Sequence, residues 1–222
     1  MAERRRPLSR ERVVAEAVAL ADADGLDAVS MRALATRLDV VPMALYKHVA
    51  DKEDLLDAMV EAVVASYADP PEGADWRASL RARVLAARDE LGSHPWLRRA
   101  IETRARRTEA VLAHMDAAAG DLVAGGFTID QVHHLMHVLG HRLWGFSPEA
   151  FAGEPTAIAP GADLEAVLAA AEQRFPHVVA ITRDAMARRP GGSCDEGAEL
   201  ELALDLFLDG AARLRDTGWA SG

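Results

Sequence analysis

Apolar residues recur along the chain at three- and four-residue intervals, and no stretch shows the strict alternation of a half-buried strand. Val13, Ala17, Leu20 and Ala21 share one face of a helix predicted over 9–24, opened by Ser9 as N-cap and closed by Gly25. Met31, Leu34, Ala35 and Leu38 mark a short second helix over 30–38. After a tight Asp39-Val40-Val41 turn, Pro42 suits the first position of a third, where its missing N–H costs nothing, and Met43 to Val49 supply two turns. Asp51 caps a fourth helix carrying Leu55, Met59, Ala62 and Val63, with Glu53 and Asp54 in the first turn, where the helix dipole favours acids. Pro70-Pro71-Glu72-Gly73 interrupts the pattern and predicts a boundary between a domain over 1–67 and a second over 74–222.

Beyond the boundary the helices lengthen. Trp76, Leu80, Val84, Ala87 and Leu91 mark one, Val111, Met115, Ala118 and Leu122 another, and His94-Pro95-Trp96 starts a short connector. Thr128-Ile129-Asp130-Gln131 reads as a capping box for a helix reaching about Phe146. Residues 147–162, with three prolines and two glycines, predict a loop, followed by helices over 163–175, 176–188 and 195–217. The class is all-α.

Composition adds bounds. Half of the 222 residues are hydrophobic and 27% are charged, enough for a buried core and against disorder. The net charge of −10 argues at first sight against a polyanion partner, yet the first 60 residues carry only −2 of it. Both lysines of the chain, Lys47 and Lys52, fall there, as do Arg4, Arg5, Arg6, Arg10 and Arg12. A lone cysteine, Cys194, makes no internal disulfide. No apolar run approaches the roughly 18–20 residues of a membrane span, and the basic opening leads into charged sequence, so a cytoplasmic protein is expected.

Three helices in about 40 residues, the second and third joined by a few residues, form a helix-turn-helix, whose last helix enters the major groove of DNA. With Leu45 and Val49 inward, Met43, Ala44, Tyr46, Lys47 and His48 are left outward or beside the outward face. Small apolar groups suit thymine methyls, Lys47 suits guanine or phosphate, and Tyr46 and His48 suit phosphate oxygens. Arg32 has the reach and planar fork for a base or phosphate, and Lys52 is placed for the backbone. Spacing alone leaves a second reading open, an ordinary helical bundle with these side chains as a solvated face. Arg4–Arg6, Arg10 and Arg12 are open to phosphate affinity, a minor-groove arm, or a solubilising tail.

At Ser30-Met31-Arg32-Ala33-Leu34-Ala35, Leu38-Asp39-Val40, Ala44-Leu45-Tyr46-Lys47-His48-Val49 and Asp51-Lys52-Glu53-Asp54-Leu55-Leu56 the chain resembles the TetR family of transcriptional repressors. The resemblance implies DNA contacts from Arg32, Met43, Ala44, Tyr46, Lys47, His48 and Lys52, with Pro42 at the head of the same helix. Where many relatives have Ser or Thr before the recognition helix this chain has Val41, which forfeits a cap of about 1 kcal/mol.

Around the helix after Thr128, Val132, Leu135, Met136, Leu139, Leu143 and Phe146 form an apolar stripe, and His133, His134, His137, His141 and Trp144 gather on another face. Apolar bulk beside a few donors and acceptors suits the wall of a ligand cavity, so His133, His137, His141 and Trp144 are the candidate effector-binding residues. Their four-residue spacing also leaves open a shared metal, and a purely structural role. The segment from Gly126-Phe127 through Gly140-His141 to Trp144-Gly145 resembles the ligand domain of the tetracycline repressors. Those proteins hold magnesium through a histidine in a segment whose counterpart here, Arg98-Arg99-Ala100-Ile101-Glu102-Thr103-Arg104, has none, so magnesium–tetracycline is not carried over and no cofactor is expected.

In the last helix Leu200, Leu204, Phe207, Ala211 and Leu214 keep a 4-3-4-3 spacing, and Ala203, Leu206 and Leu208 widen the apolar arc beyond what one core covers. Phe207-Leu208-x-Gly210 resembles the dimerisation helix of the tetracycline repressors, and Gly210 permits close approach. A homodimer through the last two helices is expected, because a palindromic operator read by two recognition helices demands two-fold symmetry. No His-Glu-x-x-His, nucleophile elbow or glycine-rich phosphate loop points to an enzyme. The reading is a repressor released from double-stranded operator DNA by a small-molecule effector.

Overall fold

A computed structural model describes residues 7–104, 107–143, 163–188 and 196–222. Among them are eleven α-helices and no strand: α1 (Arg10–Asp24), α2 (Met31–Leu38), α3 (Pro42–Leu45), α4 (Lys52–Val64), α5 (Trp76–Ser93), α6 (Leu97–Thr103), α7 (Glu109–Ala124), α8 (Ile129–Leu143), α9 (Leu164–Glu172), α10 (Pro176–Arg188) and α11 (Glu196–Asp216). The all-α class holds. No described helix is long and apolar enough to cross a membrane.

Helix starts follow local side-chain chemistry. Ser9, Ser30, Asp51, Asp75, Thr108 and Asp163 each accept a hydrogen bond from a backbone N–H of the first turn they precede. Ahead of α8 the capping box closes reciprocally: Gln131 N donates to Thr128 Oγ1 at 3.2 Å, and Thr128 N donates to Gln131 Oε1 at 3.0 Å. Gln131 is buried, and its amide reaches on to the Trp219 carbonyl at 2.9 Å.

The packing divides the chain into two compact units, one running to Val138 and including Arg215–Gly222, the other Leu139–Leu214. In the first, α1 packs on α2 and α4, α2 on α3, and α4 on both α6 and α7. Its main core joins Val13, Ala17, Leu34, Leu38, Leu45, Val49, Leu55 and Met59 to Trp96, Leu97 and Ala100 of the α6 region. In the second, α9 packs on α10 and is tied to it by Arg183, whose guanidinium reaches Glu165 and Glu172 at 2.6 and 2.9 Å.

The third helix differs from its prediction. Two turns are expected over 43–49, but α3 covers four residues. Val41 supplies no cap, Lys47 N reaches Ala44 O only at 3.4 Å, and His48 N bonds Leu45 O, three residues back. Val49 N returns to Leu45 O, four residues back, at 3.0 Å, so the second turn mixes three- and four-residue steps instead of continuing the α-helix.

Candidate nucleic-acid interface

The turn between α2 and α3 is built by Asp39, whose φ of 53° places it in the left-handed region that a short polar side chain tolerates. Asp39 N and Val40 N then donate to Thr36 O and Ala35 O, satisfying the end of α2 and sending the chain into α3. Leu45 and Val49 are fully buried and pin the element from beneath. Above them Pro42, Met43, Tyr46 and Lys47 are exposed, Met43 by 71%, while Ala44 and His48 are half-buried. Val41 is exposed by 68%. Arg32 is exposed in the first turn of α2 and Lys52 at the first residue of α4. Among the described residues no carboxylate pairs with Arg32, Lys47 or Lys52. Three cations without a carboxylate partner among the described residues thus stand on α2, on the turn after α3 and at the head of α4, in a chain whose net charge is −10.

Arg10 does not join them. Its guanidinium is folded onto Asp54 and the His48 carbonyl. Arg4, Arg5 and Arg6 lie outside the described residues.

On α8 the apolar stripe is the buried one: Val132, Leu135 and Leu139 are covered, whereas His133 and His137 are exposed and His134 is half-buried. The rings of His133 and His137 lie 4.8 Å apart, and His134 sits 3.6 Å from Asp130 and edge-on to Trp219. Trp144, Cys194 and the side chain of His141 lie outside the described residues. No group of three or more metal-ligating side chains converges among the described residues. An open cleft of about 700 Å³ lies elsewhere, between Val14, Ala15 and Val18 of α1 and Ala58 and Ala62 of α4.

Sequence reasoning missed an interior polar pair. Tyr67, just past α4, stacks edge-on against His114 of α7 at 5.1 Å, and its hydroxyl is buried with no hydrogen-bond partner among the described residues. Burial and the charge of Glu90 hold the phenol firmly protonated, while burial and Arg83 push His114 below the usual imidazole range. Neither residue belongs to a motif, and only the fold brings them together.

Two family models match the chain: bacterial regulatory proteins of the tetR family over residues 13–59, and the tetracyclin repressor-like C-terminal domain over 69–214. An HTH-type transcriptional regulator of Saccharopolyspora erythraea is 36% identical over 121 residues, 54% of this chain. The match spans 51% of that relative, so the chain covers about half its length. The class G tetracycline repressor protein of Vibrio anguillarum is 29% identical over 94% of this chain and 95% of its own. Among solved structures, apo ActR from Streptomyces coelicolor superposes with a TM-score of 0.72 at 25% identity, covering 96% of this chain and 99% of its own, and ActR is also solved in complex with actinorhodin. With the C-terminal model alone spanning more than half of the chain, the helix-turn-helix head and the helical body belong to one protein of the TetR family.

Proposed function

We propose that this protein is a DNA-binding transcriptional repressor, with residues 1–67 as the DNA-binding domain and 74–222 as the effector-binding and dimerisation domain. The observation that carries the reading is the head itself: α3 pinned by Leu45 and Val49, with Met43, Tyr46 and Lys47 outward and Arg32 and Lys52 free of carboxylates among the described residues. Pro42, Met43 and Ala44 meet base edges and thymine methyls, Lys47 and Arg32 a base or phosphate, and Tyr46, His48 and Lys52 phosphate oxygens. A DNA partner places the protein in the cytoplasm, and no enzymatic step is assigned to it.

Two subunits pair through α10 and α11 to present two heads to a palindrome. In support, Leu202 and Leu206 of α11 are exposed by more than 60%, as is Ile181 of α10, and a Cβ at Gly210 meets nothing within 4 Å among the described residues. A small molecule meets the imidazole and indole face of α8, through His133, His137, His141 and Trp144, and releases the DNA by its difference in affinity between two conformers. The Tyr67 hydroxyl, buried without a hydrogen-bond partner among the described residues, favours a second reading, in which a polar group of the effector is received beside His114.

The test is a mobility-shift titration against a duplex selected by the purified protein from a random pool. An inverted repeat should emerge, and Tyr46→Ala with Lys47→Ala should abolish the shift. A pool without enrichment, or an unchanged shift, overturns the reading.

A further inference from the structure

Arg10 stands in the basic opening of the chain, where sequence alone offers it to DNA phosphate. The structure spends it otherwise. Nη1 donates to the His48 carbonyl at 2.7 Å and to Asp54 Oδ2 at 3.0 Å, and Nη2 donates to Asp54 Oδ1 at 2.6 Å. Asp54 Oδ2 also accepts from Ala50 N at 2.7 Å, and Asp54 N donates to Asp51 Oδ1 at 2.8 Å. One guanidinium and one carboxylate therefore join three segments: the first residue of α1, the turn that leaves the recognition helix, and the first turn of α4.

The recognition helix needs such an anchor. Four residues cannot sustain a helix alone, since one turn does not repay its own nucleation. Its N-terminal end has Pro42 but no side-chain cap. Its exit is where the outside hydrogen bond lands, on the carbonyl of His48. The fork geometry suits arginine specifically, because two parallel bonds to a carboxylate and a third to a carbonyl fix direction as well as distance. The guanidinium and the Ala50 N–H hold the Asp54 carboxyl at about 2, so the clamp stays charged across the neutral range.

We propose that Arg10 is a positioning residue for DNA recognition, acting through Asp54 and the His48 carbonyl to set the exit of the recognition helix, and that it is not a phosphate contact. The proposal rests on the DNA-binding reading above. In that role Arg10 supplies direction to the recognition helix through its bonds to Asp54 and the His48 carbonyl.

The test uses the full chain, the duplex selected by the wild type and a scrambled duplex of equal length, each titrated over a range of KCl well below the thermal midpoint of every variant. Arg10→Ala is expected to weaken selected-duplex binding tenfold or more while leaving scrambled-duplex affinity and its salt slope at wild-type values. Arg10→Lys, which keeps the charge and loses the fork, should lose nearly as much. Asp54→Ala gives the sharpest sign: removing an acid from a DNA-binding head strengthens binding if charge alone counts, whereas the clamp requires it to weaken selected-duplex binding. Equal losses on both duplexes with the slope reduced by about one per lost contact would make Arg10 a phosphate ligand and overturn the proposal. So would unchanged selected-duplex affinity with only a lower melting midpoint. Wild-type protein that binds no duplex ends the DNA reading itself, and the clamp with it, before any variant is compared.

Discussion

Leu45 and Tyr46 are adjacent in sequence and opposite in environment, so truncating each in turn separates the support of the recognition helix from its use. Leu45 is fully buried, the one buried residue within α3, and belongs to the core with Leu34, Leu38, Val49 and Leu55. Leu→Ala at such positions costs about 2–5 kcal/mol, growing with the cavity left behind. A one-turn helix without an N-cap can sink toward the cavity, which puts the expected cost in the lower half, about 2–3 kcal/mol. Against a total of about 5–15 kcal/mol the variant still folds, and at a urea slope of about 2 kcal/mol/M its midpoint falls by about 1 M or more.

Tyr46 is 45% exposed, and its truncation should leave the unfolding free energy within about 0.5 kcal/mol of wild type. On the proposed reading it loses a hydroxyl bond to a charged phosphate oxygen, about 1.5 kcal/mol per subunit. Over two subunits this is about 3 kcal/mol, roughly a hundredfold in operator affinity. Urea unfolding followed by circular dichroism at 222 nm and mobility-shift titration read the two quantities separately. If Leu45→Ala leaves the midpoint unmoved, or Tyr46→Ala lowers it while operator affinity stays intact, the inside–outside assignment of α3 is refuted.

Other expectations follow from single contacts. Gly125→Ala should cost about 1–3 kcal/mol in thermal unfolding, because its Cβ would lie 2.6 Å from Trp76 Cγ, and that indole is held by Phe127 and by Arg215 over both rings; Gly120→Ala in α7, whose Cβ would meet nothing within 4 Å among the described residues, should be stabilising. The Asp54 carboxyl lies at about 2 in the fold against 3.8 unperturbed, so its stabilisation is full above pH 3.8 and vanishes as pH falls through about 2; the melting-point gap between wild type and Asp54→Ala should close over that window. Tyr67→Phe removes a buried hydroxyl without a partner among the described residues and should raise the unfolding free energy by about 1 kcal/mol, and a decrease would show that the hydroxyl is satisfied. Replacing thymine by deoxyuridine in the operator half-sites should weaken wild-type binding and leave Met43→Ala at its own lower affinity, while equal losses in both proteins would remove Met43 from thymine contact.

What could be read from the sequence is what is encoded locally. The caps at Ser9 and Asp51 and the Thr128–Gln131 box each act across three residues, and each forms as the residue types predict. The helix-turn-helix follows from those caps and the spacing of Leu34, Leu38 and Leu45. Periodicity also finds two faces on α8 but cannot say which of them the chain covers, and it is Val132, Leu135 and Leu139 that are buried while His133 and His137 stay outside. The inward turn of Arg10 depends on Asp54, 44 residues away, and the Tyr67–His114 pair joins the segment past α4 to α7 without a shared motif. Such pairings depend on tertiary packing, which no local pattern specifies.

The joint between α6 and the head shows why occupancy in the body should be felt at the DNA. Trp96, Leu97 and Ala100 are buried in the same core as Leu45 and Val49, so the apolar face of α6 is part of what supports the recognition helix. The polar ties around α6 land on the same supports. Trp96 Nε1 donates to Asp22 Oδ1 at 2.6 Å and His94 Nδ1 lies 2.7 Å from that oxygen, at the end of α1. Arg99 reaches Asp27 just beyond α1, and Arg104 reaches Glu53 and Asp57 on α4. A close-packed core does not stretch continuously; when one wall moves, its neighbours shift with it or lose contact. A ligand that displaces α6 must therefore carry α1 and α4 along or give up buried contacts, and α1 and α4 are the two helices whose Arg10 and Asp54 hold the exit of α3. Allosteric coupling typically amounts to about 1–3 kcal/mol, and the route this structure offers for it is the shared core and the ion pairs of α6.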